Sequence, residues 1–202
     1  MTFNKSLKLF LPMVLLSAAA NASVVFNFDG DSPGTSTIFT STVSNLSATF
    51  SSSADPGGFV VYPSIFETLT GNVLGDPGPA FMDNLALDIS FSQDLSAIEL
   101  DFATSDFLSP SLFTVSAYQN SDLVGSVSST GQFLPGFTFP EGEIAFEGAA
   151  FNNVVISSGA TDFAVDNIAA VTAPEPGALA SLGIGLFLLG VSSMRRRKPA
   201  SK

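Results

Sequence analysis

The chain has 202 residues, of which 46% are hydrophobic and only 12% are charged, and its net charge is −11 at pH 7. It contains no His, Cys or Trp, and all seven Lys and Arg residues lie near the two ends, so residues 23–172 hold seventeen acidic side chains and no cation. These facts exclude disulfides, His or Cys metal sites, Ser-His-Asp, Cys-His and Ser-Lys nucleophile systems, and nucleic-acid binding through basic patches.

The first 22 residues have the three parts of a secretory signal peptide. Two lysines give a positive start, an apolar run covers residues 9–16, and Ala20 and Ala22 form a small-x-small cleavage site. We predict export through the Sec translocon and cleavage by signal peptidase, which leaves Ser23 as the first residue of the mature chain. The alternative, an uncleaved N-terminal anchor, is disfavoured because the apolar run is short.

The domain that follows has the pattern of a β protein throughout. Residues 85–91 and 98–102 alternate strictly between apolar and polar side chains. Further candidate strands cover residues 23–28, 46–52, 58–62, 111–119, 122–129, 143–148, 152–158 and 162–171. Turn-forming residues fill the gaps, and no stretch shows a helical period. Roughly ten short strands with a Phe-rich inner face predict an all-β fold, an antiparallel two-sheet sandwich of the jelly-roll type.

The closing segment of this domain, residues 145–171, contains an apolar-x-apolar-Asp-Asn-Ile pattern that includes Asp166. It resembles the last strands of carbohydrate-binding-module-like jelly rolls. The resemblance implies that the last strand lies near the first, and that Asp166 joins Asp29 and Asp31 around a structural Ca²⁺. Oxygen ligands without competing His or Cys suit Ca²⁺, although Asp-Gly-Asp is too short for an EF-hand loop. The alternative is that the three Asp residues are ordinary turn formers and caps.

An uncharged segment, residues 177–194, follows the domain. As an α-helix it would be about 27 Å long, just enough to cross a hydrocarbon core of about 30 Å. Pro176 suits the first turn of such a helix. The segment ends in a stop-transfer cluster of four cations, Arg195, Arg196, Arg197 and Lys198. By the positive-inside rule we predict a single transmembrane helix with the acidic domain outside the cytoplasm, rather than a buried globular helix.

Pro174, Glu175 and Pro176, the apolar segment and the basic tail together resemble the PEP-CTERM sorting signal. The resemblance implies processing near this motif by exosortase, an integral membrane protease or transpeptidase of Gram-negative bacteria, so that the helix is a temporary tether in the inner membrane. It also implies a destination in the cell envelope, at the outer surface or in the extracellular matrix of a host that makes exopolysaccharide. The predicted organisation is a signal peptide (1–22), an acidic β domain (23–172) and a sorting signal (173–202).

Few catalytic options remain for such a domain. Two carboxylates suffice for glycoside hydrolysis, but no acidic pair stands out in the sequence, so a carboxylate glycosidase is the third hypothesis. The leading hypothesis is a non-catalytic envelope or matrix protein associated with exopolysaccharide or biofilm, without a nucleic-acid partner. The second is a Ca²⁺-dependent carbohydrate-binding module in which Tyr62, Tyr118 and some Phe side chains stack on sugars.

Overall fold

Eleven β-strands make up the regular structure in this computed structural model, which describes residues 23–76 and 85–174. They are β1 Ser23–Phe26, β2 Phe39–Val43, β3 Leu46–Ser51, β4 Val60–Pro63, β5 Asn72–Gly75, β6 Leu87–Thr104, β7 Leu112–Gln119, β8 Asp122–Thr130, β9 Gln132–Phe133, β10 Pro140–Ser158 and β11 Phe163–Thr172. Every pairing between them is antiparallel, which confirms the predicted all-β, antiparallel fold. These two stretches contain no helix, and hence none that could span a membrane. The predicted signal peptide and transmembrane segment lie outside the described residues.

Two long strands, β6 and β10, differ from the sequence prediction of two short strands in each region. Polar residues 92–94 and small residues 148–150 interrupt the apolar alternation, but neither interruption ends the strand. Instead, the register between β6 and β10 shifts on both sides of Phe151. Bulges of this kind bend a strand while most of its ladder hydrogen bonds persist. Each long strand therefore contributes its two halves to different layers.

The two layers of the sandwich are built around these bent strands. In the first layer, the first half of β6 pairs with β3 and the second half of β10, with β2 and β7–β8 at the edges. In the second layer, the second half of β6 pairs with the first half of β10 and with β11. The other edge of β11 carries β5 and β4 at one end and β1 at the other. The two layers of the predicted sandwich are thus joined through β6 and β10 into one continuous, hydrogen-bonded sheet.

Phenylalanine fills the space between the layers. Phe102 from the second layer stacks on Phe113 from the first, with ring centroids 4.1 Å apart and planes 8° apart. The fully buried phenylalanines are Phe26, Phe28, Phe50, Phe59, Phe102, Phe113 and Phe151. Because each buried Phe side chain stabilises a fold by roughly 1.5–3 kcal/mol, aromatic packing is a large part of what holds this disulfide-free domain together.

A second, smaller core lies on the outer face of the second layer. The loop between β4 and β5 (residues 64–71, the β4–β5 loop) closes on itself through a 2.8 Å hydrogen bond from Ser64 N to Gly71 O. Leu69 of this loop is fully buried, and it belongs to the same cluster as Val73, Ala103 and Ala164. The loop is therefore folded back onto the sheet, where the outward-facing side chains of β5, β6 and β11 are small or apolar.

Glu141 holds the β4–β5 loop in this position. It is 3% exposed, and its carboxylate accepts hydrogen bonds from Glu67 N (2.9 Å), Thr68 N (2.7 Å) and Thr68 Oγ1 (2.6 Å). Three donors around one carboxylate compensate for removing it from water. This contact fixes the loop relative to β10.

Both ends of the domain emerge at the same place. Ser23, exposed at the start of β1, pairs with Val171 near the end of β11, which confirms that the first and last strands are neighbours. Pro174 is exposed two residues beyond β11. The opposite end of β11 begins at Phe163, about 30 Å away at roughly 3.3 Å per residue.

Candidate functional site

A cleft of about 290 Å³ opens at the end of the second layer where β11 begins. We call it the Tyr62 cleft and define it by Tyr62, Phe66, Asp76, Thr104, Phe139 and Asp162. Antiparallel pairing explains why these residues meet. β5 and β6 end at this edge of the sheet, while β10 and β11 begin there. Residues distant in sequence therefore converge on one cavity.

Backbone and side-chain hydrogen bonds fix the floor of the cleft. Asp76 N donates to Phe163 O (3.2 Å), and Ser105 N donates to Asp162 O (3.0 Å). In return, Asp162 N donates to Ser105 Oγ (2.9 Å). Asp76 therefore directly follows β5, and Asp162 directly precedes β11, the strand that pairs with β5. The hydrogen bonds between neighbouring strands hold both residues in place.

Tyr62, on β4, lines the cleft together with the carboxylates of Asp76 and Asp162. A Cβ added to Gly75 would be 2.8 Å from Tyr62 Oη, so the missing side chain at this position makes room for the phenol. Burial, and then the charges of Asp76 and Asp162, raise the pKa of Tyr62 to about 12. Tyr62 is therefore a neutral hydrogen-bonding group at any physiological pH.

The two carboxylates of the cleft influence each other electrostatically. Burial and the neighbouring Asp76 raise the pKa of Asp162 above its usual range. Each of these causes disfavours the ionised form, as expected for two carboxylates that share a partly desolvated site. Residues 23–172 contain no Lys, Arg or His.

An aromatic and aliphatic rim surrounds the mouth of the cleft. Phe139 packs against Phe66 with ring centroids 5.9 Å apart, and against Phe107 at 5.4 Å. Ile65 is 65% exposed and Phe107 is 68% exposed, which is unusual for large apolar side chains clustered together. The Phe-rich inner face predicted from the sequence is present in the interior, whereas the Phe side chains of this rim lie at the surface.

The loop that carries Phe107 is held by Asp106. Its carboxylate accepts hydrogen bonds from Thr104 Oγ1 (2.7 Å), Ser111 N (2.8 Å) and Ser111 Oγ (2.8 Å). These contacts close residues 106–111 into a compact turn. Phe107 is consequently presented at the rim by a fixed loop.

The predicted calcium ligands come together in part. Asp166 is fully buried, and burial is the main cause that raises its pKa to about 6. The charges of Asp29 and Asp101 raise it further, whereas backbone N–H groups of Asn167 and Thr70 lower it. Its Oδ2 makes no hydrogen bond within the described part of the chain.

Asp29 is fixed beside Asp166 by the end of the β4–β5 loop. Asn72 N donates to Asp29 Oδ1 (2.8 Å), and a Cβ on Gly71, whose φ is +75°, would fall 1.7 Å from that oxygen. Only glycine fits there. Asp31 offers its backbone oxygen, which accepts a hydrogen bond from Asn72 Nδ2 (3.2 Å). Within residues 23–76 and 85–174, no group of three or more acidic, His or Cys side chains is arranged to hold a metal ion.

The remaining predicted sites lie mostly outside the described residues. Ser23 and Pro174 are described and exposed. The others fall in stretches 1–22 and 175–202, and they are Ala20, Ala22, Glu175, Pro176, Arg195, Arg196, Arg197 and Lys198. For these, the cleavage, sorting and stop-transfer assignments stay predictions.

Asp76 and Asp162 are not among the site residues predicted from the sequence. Each stands beside a strand in a turn-like setting, Gly-Asp-Pro and Thr-Asp-Phe, so each has the appearance of an ordinary turn residue. The only available signal was Tyr62, which was singled out as a sugar-stacking candidate. What brings the three together is the pairing of β4 with β5 and of β5 with β11.

No protein-family model and no curated protein matches the chain. Among solved structures, the K2 cleaved adhesin domain of Lys-gingipain is similar with a TM-score of 0.51 and 14% identity, over 75% of this chain and 99% of that domain. The K1 cleaved adhesin domain of Lys-gingipain from Porphyromonas gingivalis W83 has a TM-score of 0.50 and 9% identity, over 76% and 99%. The family 11 carbohydrate-binding module of a Clostridium thermocellum cellulase has a TM-score of 0.36 and 15% identity, over 77% and 97%. The two adhesin domains establish that the chain has their β-sandwich fold.

Proposed function

We propose that this protein is an exported, non-catalytic carbohydrate-binding protein of the cell envelope, and that its glycan occupies the Tyr62 cleft. The observation that carries the proposal is one half-open cavity that combines aromatic faces with carboxylates and hydroxyls. Sugars need both features, because their C–H faces pack on rings while their hydroxyls donate to acidic oxygens. The adhesin role of the two domains that share the fold is compatible with this proposal, which rests on the cleft.

Export and sorting by exosortase are part of the same proposal. The sequence supports them through the signal peptide and the PEP-CTERM resemblance. The position of the ends adds support, because Ser23 and Pro174 emerge together and the cleft lies at the other end of β11. A chain held in the membrane through residues 177–194 would therefore present the cleft away from the lipid surface, towards exopolysaccharide.

Intact-mass spectrometry of the protein from its native host tests the route. We expect a mature chain that begins at Ser23 and ends near Pro174, Glu175 and Pro176, without the basic tail. A mass that retains residues 1–22 and 177–202 would contradict both cleavage predictions. Any mass beyond the cleaved chain would reveal a covalent attachment made by a transpeptidase.

A glycan array and calorimetric titration of the hits test the binding. We expect Phe139→Ala to weaken glycan binding roughly tenfold, because removal of one stacking ring costs about 1–3 kcal/mol in comparable sites. Phe133→Ala is the matched control, since Phe133 is 41% exposed and does not line the cleft. If the wild-type protein binds no glycan on the array, the proposal is contradicted and a purely structural role in the matrix is favoured. Release of shorter sugars during the titration would instead favour the carboxylate glycosidase.

We also propose a structural Ca²⁺ beside β11, at two of the three Asp residues, Asp29 and Asp166, that the carbohydrate-binding-module resemblance implies as ligands. The carboxylates of Asp29 and Asp166 would hold it, with backbone oxygens in place of a third carboxylate. Support comes from the buried, unsatisfied Oδ2 of Asp166 and from the side-chain-free Gly71 against Asp29. A hard cation would supply the charge that this pair lacks and would tie the first strand, the last strand and the β4–β5 loop together. Its signature is a melting temperature that depends on calcium.

A further inference from the structure

The aromatic rim of the Tyr62 cleft is angled and does not form a flat platform. The ring planes of Phe66 and Phe139 are inclined by 65°, and those of Phe139 and Phe107 by 55°. Coplanar rings do occur in this chain, since the planes of Phe102 and Phe113 in the core differ by only 8°. An extended, flat glycan needs coplanar ring faces for its successive sugar units. Three mutually inclined rings instead suit a compact apolar group.

An aliphatic side chain adds to this apolar surface. Ile65 lines the cleft beside Phe66 and is 65% exposed. It has no ring face on which a sugar ring could stack, but it removes a neighbouring apolar group from water as effectively as an aromatic ring does. Large apolar side chains that are exposed and clustered mark a binding surface.

The rim is fixed in the protein without a ligand. Glu141 holds the loop that carries Ile65 and Phe66, and Asp106 holds the loop that carries Phe107. Binding to such a pre-organised surface costs little conformational entropy, so even a small group can be recognised there.

The charge of the domain disfavours acidic sugars. Residues 23–172 contain seventeen acidic side chains and no Lys or Arg, so this part of the chain offers no cation to a sugar carboxylate, sulfate or phosphate. Asp76 and Asp162 line the same cleft, and the charge of Asp76 contributes to the raised pKa of Asp162. A ligand carboxylate would add to this repulsion. The group that enters the cleft is therefore not an anion.

We propose that the Tyr62 cleft recognises a methyl group on an uncharged sugar, and that this group packs among Ile65, Phe139 and Phe107. The inference rests on the proposed carbohydrate binding and specifies its class. The methyl group is that of a 6-deoxyhexose or of an N-acetyl group, because both present the same compact apolar surface. A hydroxymethyl group in the same place would bring a hydroxyl against apolar side chains, where it loses its hydrogen bonds to water.

The test varies only the group at carbon 6 of a sugar ring. D-fucose, D-galactose and D-galacturonate carry a methyl, a hydroxymethyl and a carboxylate group there on otherwise identical rings. D-quinovose, D-glucose and D-glucuronate form a second series, and L-rhamnose and L-mannose a third pair. Saturation-transfer NMR titrations of the full chain give the dissociation constants. In at least one series we expect the methyl sugar to bind roughly fivefold more tightly than the hydroxymethyl sugar, with the largest saturation on its methyl protons.

Salt separates the apolar from the electrostatic part of this selectivity. The uronate of each series should bind most weakly, and higher ionic strength should bring it closer to the neutral sugars. The ratio between the methyl and hydroxymethyl sugars should not change with salt, because neither carries a charge. A uronate that binds as tightly as the neutral sugars of its series would overturn the uncharged class.

A matched pair of variants tests the position of the methyl group. Ile65→Ser should abolish the preference for the methyl sugar while binding of the hydroxymethyl sugar persists. Ile38→Ser makes the same change at a side chain that is 66% exposed and is not among the described residues that line the cleft, so the preference should persist. Both changes are at the surface, and a melting transition like that of wild type checks that each variant is folded. Equal loss of preference in the two variants would overturn the inference.

The source of the methyl group and the two levels of the proposal have separate outcomes. If N-acetylglucosamine binds more tightly than D-glucose and D-quinovose does not, the methyl group is that of an N-acetyl group; the reverse assigns it to a 6-deoxyhexose. Equal affinity for the methyl-bearing and hydroxymethyl sugars throughout overturns methyl recognition and leaves carbohydrate binding intact. Absence of binding to all of these sugars and to the glycan array overturns both.

Discussion

Glu141→Gln is expected to destabilise the protein by about 2–4 kcal/mol, which lowers the melting temperature by roughly 10 °C. The reason is local. The buried carboxylate accepts from two backbone N–H groups and one hydroxyl of the β4–β5 loop. In the amide, one of the two accepting oxygens becomes an NH₂ group that faces another donor. A buried N–H then loses its partner, and the attachment of the loop to β10 is weakened.

The effect should reach the Tyr62 cleft, because the same loop carries Ile65 and Phe66. We expect faster hydrogen exchange over residues 64–71 and weaker ligand binding in Glu141→Gln. Glu143→Gln is the matched control, two residues along β10. Its side chain is exposed, and the neighbouring Glu99 raises its pKa through a shared hydrogen bond and charge repulsion. That substitution removes a repulsion, so it should leave stability unchanged or slightly higher. Equal destabilisation by both variants would contradict the anchoring role of Glu141.

Asp166→Asn is expected to act in the opposite direction on the metal-free protein. Burial raises the folded-state pKa of Asp166 to about 6, while the ordinary pKa of the group is 3.8. The folded protein therefore binds a proton more tightly than the unfolded chain does. This contribution to stability is fully present below the unfolded pKa and is lost as the pH rises through about 6. At pH 7 the wild-type protein keeps a buried charge, which the amide avoids.

In chelator at pH 7, we expect Asp166→Asn to be more stable than wild type by about 1–3 kcal/mol. Well below pH 3.8 the difference should nearly vanish, because Asp166 is then protonated in both the folded and the unfolded state. Added Ca²⁺ should raise the melting temperature of wild type at pH 7 and leave Asp166→Asn unchanged. Asp122→Asn, exposed and remote, should behave as wild type. If Ca²⁺ does not change the melting temperature of the wild-type protein at pH 7, the calcium site is refuted. The pH dependence of the stability of the metal-free protein would still test the buried charge of Asp166.

Some features of the fold follow directly from sequence periodicity. Residues 98–102 alternate Ile, Glu, Leu, Asp and Phe, and in the structure Ile98, Leu100 and Phe102 are buried while Glu99 is exposed. This agreement is expected, because a period of two assigns alternate residues to opposite faces whatever the partner strands are. The short strands β2 and β5 were not predicted, because their sequences lack a clear alternation of this kind. The five residues Phe39–Val43 are mostly Ser and Thr, and Asn72–Gly75 spans only four residues.

The bend of β6 and β10 could not be predicted from either strand by itself. A bulge is a property of a pair, since extra residues on one strand must be opposed by fewer on the other. The sequence shows only that the alternation stops near residues 92–94 and 148–150. Whether the chain turns back there or continues depends on whether the ladder between β6 and β10 survives, as it does here.

By itself, the sequence determined the chemical character of this protein. It assigned every cation to the two ends, and it predicted an acidic, disulfide-free β domain with a Phe-rich core. It also limited the available chemistry to carboxylates, hydroxyls and aromatic rings. Tertiary structure alone decided which of the seventeen acids share a site. Asp76 and Asp162 are 86 positions apart, and they meet because β5 pairs with β11 at the edge where one ends and the other begins. Local sequence does not encode that register, because the pairing is set by the burial of whole strand faces across the sandwich.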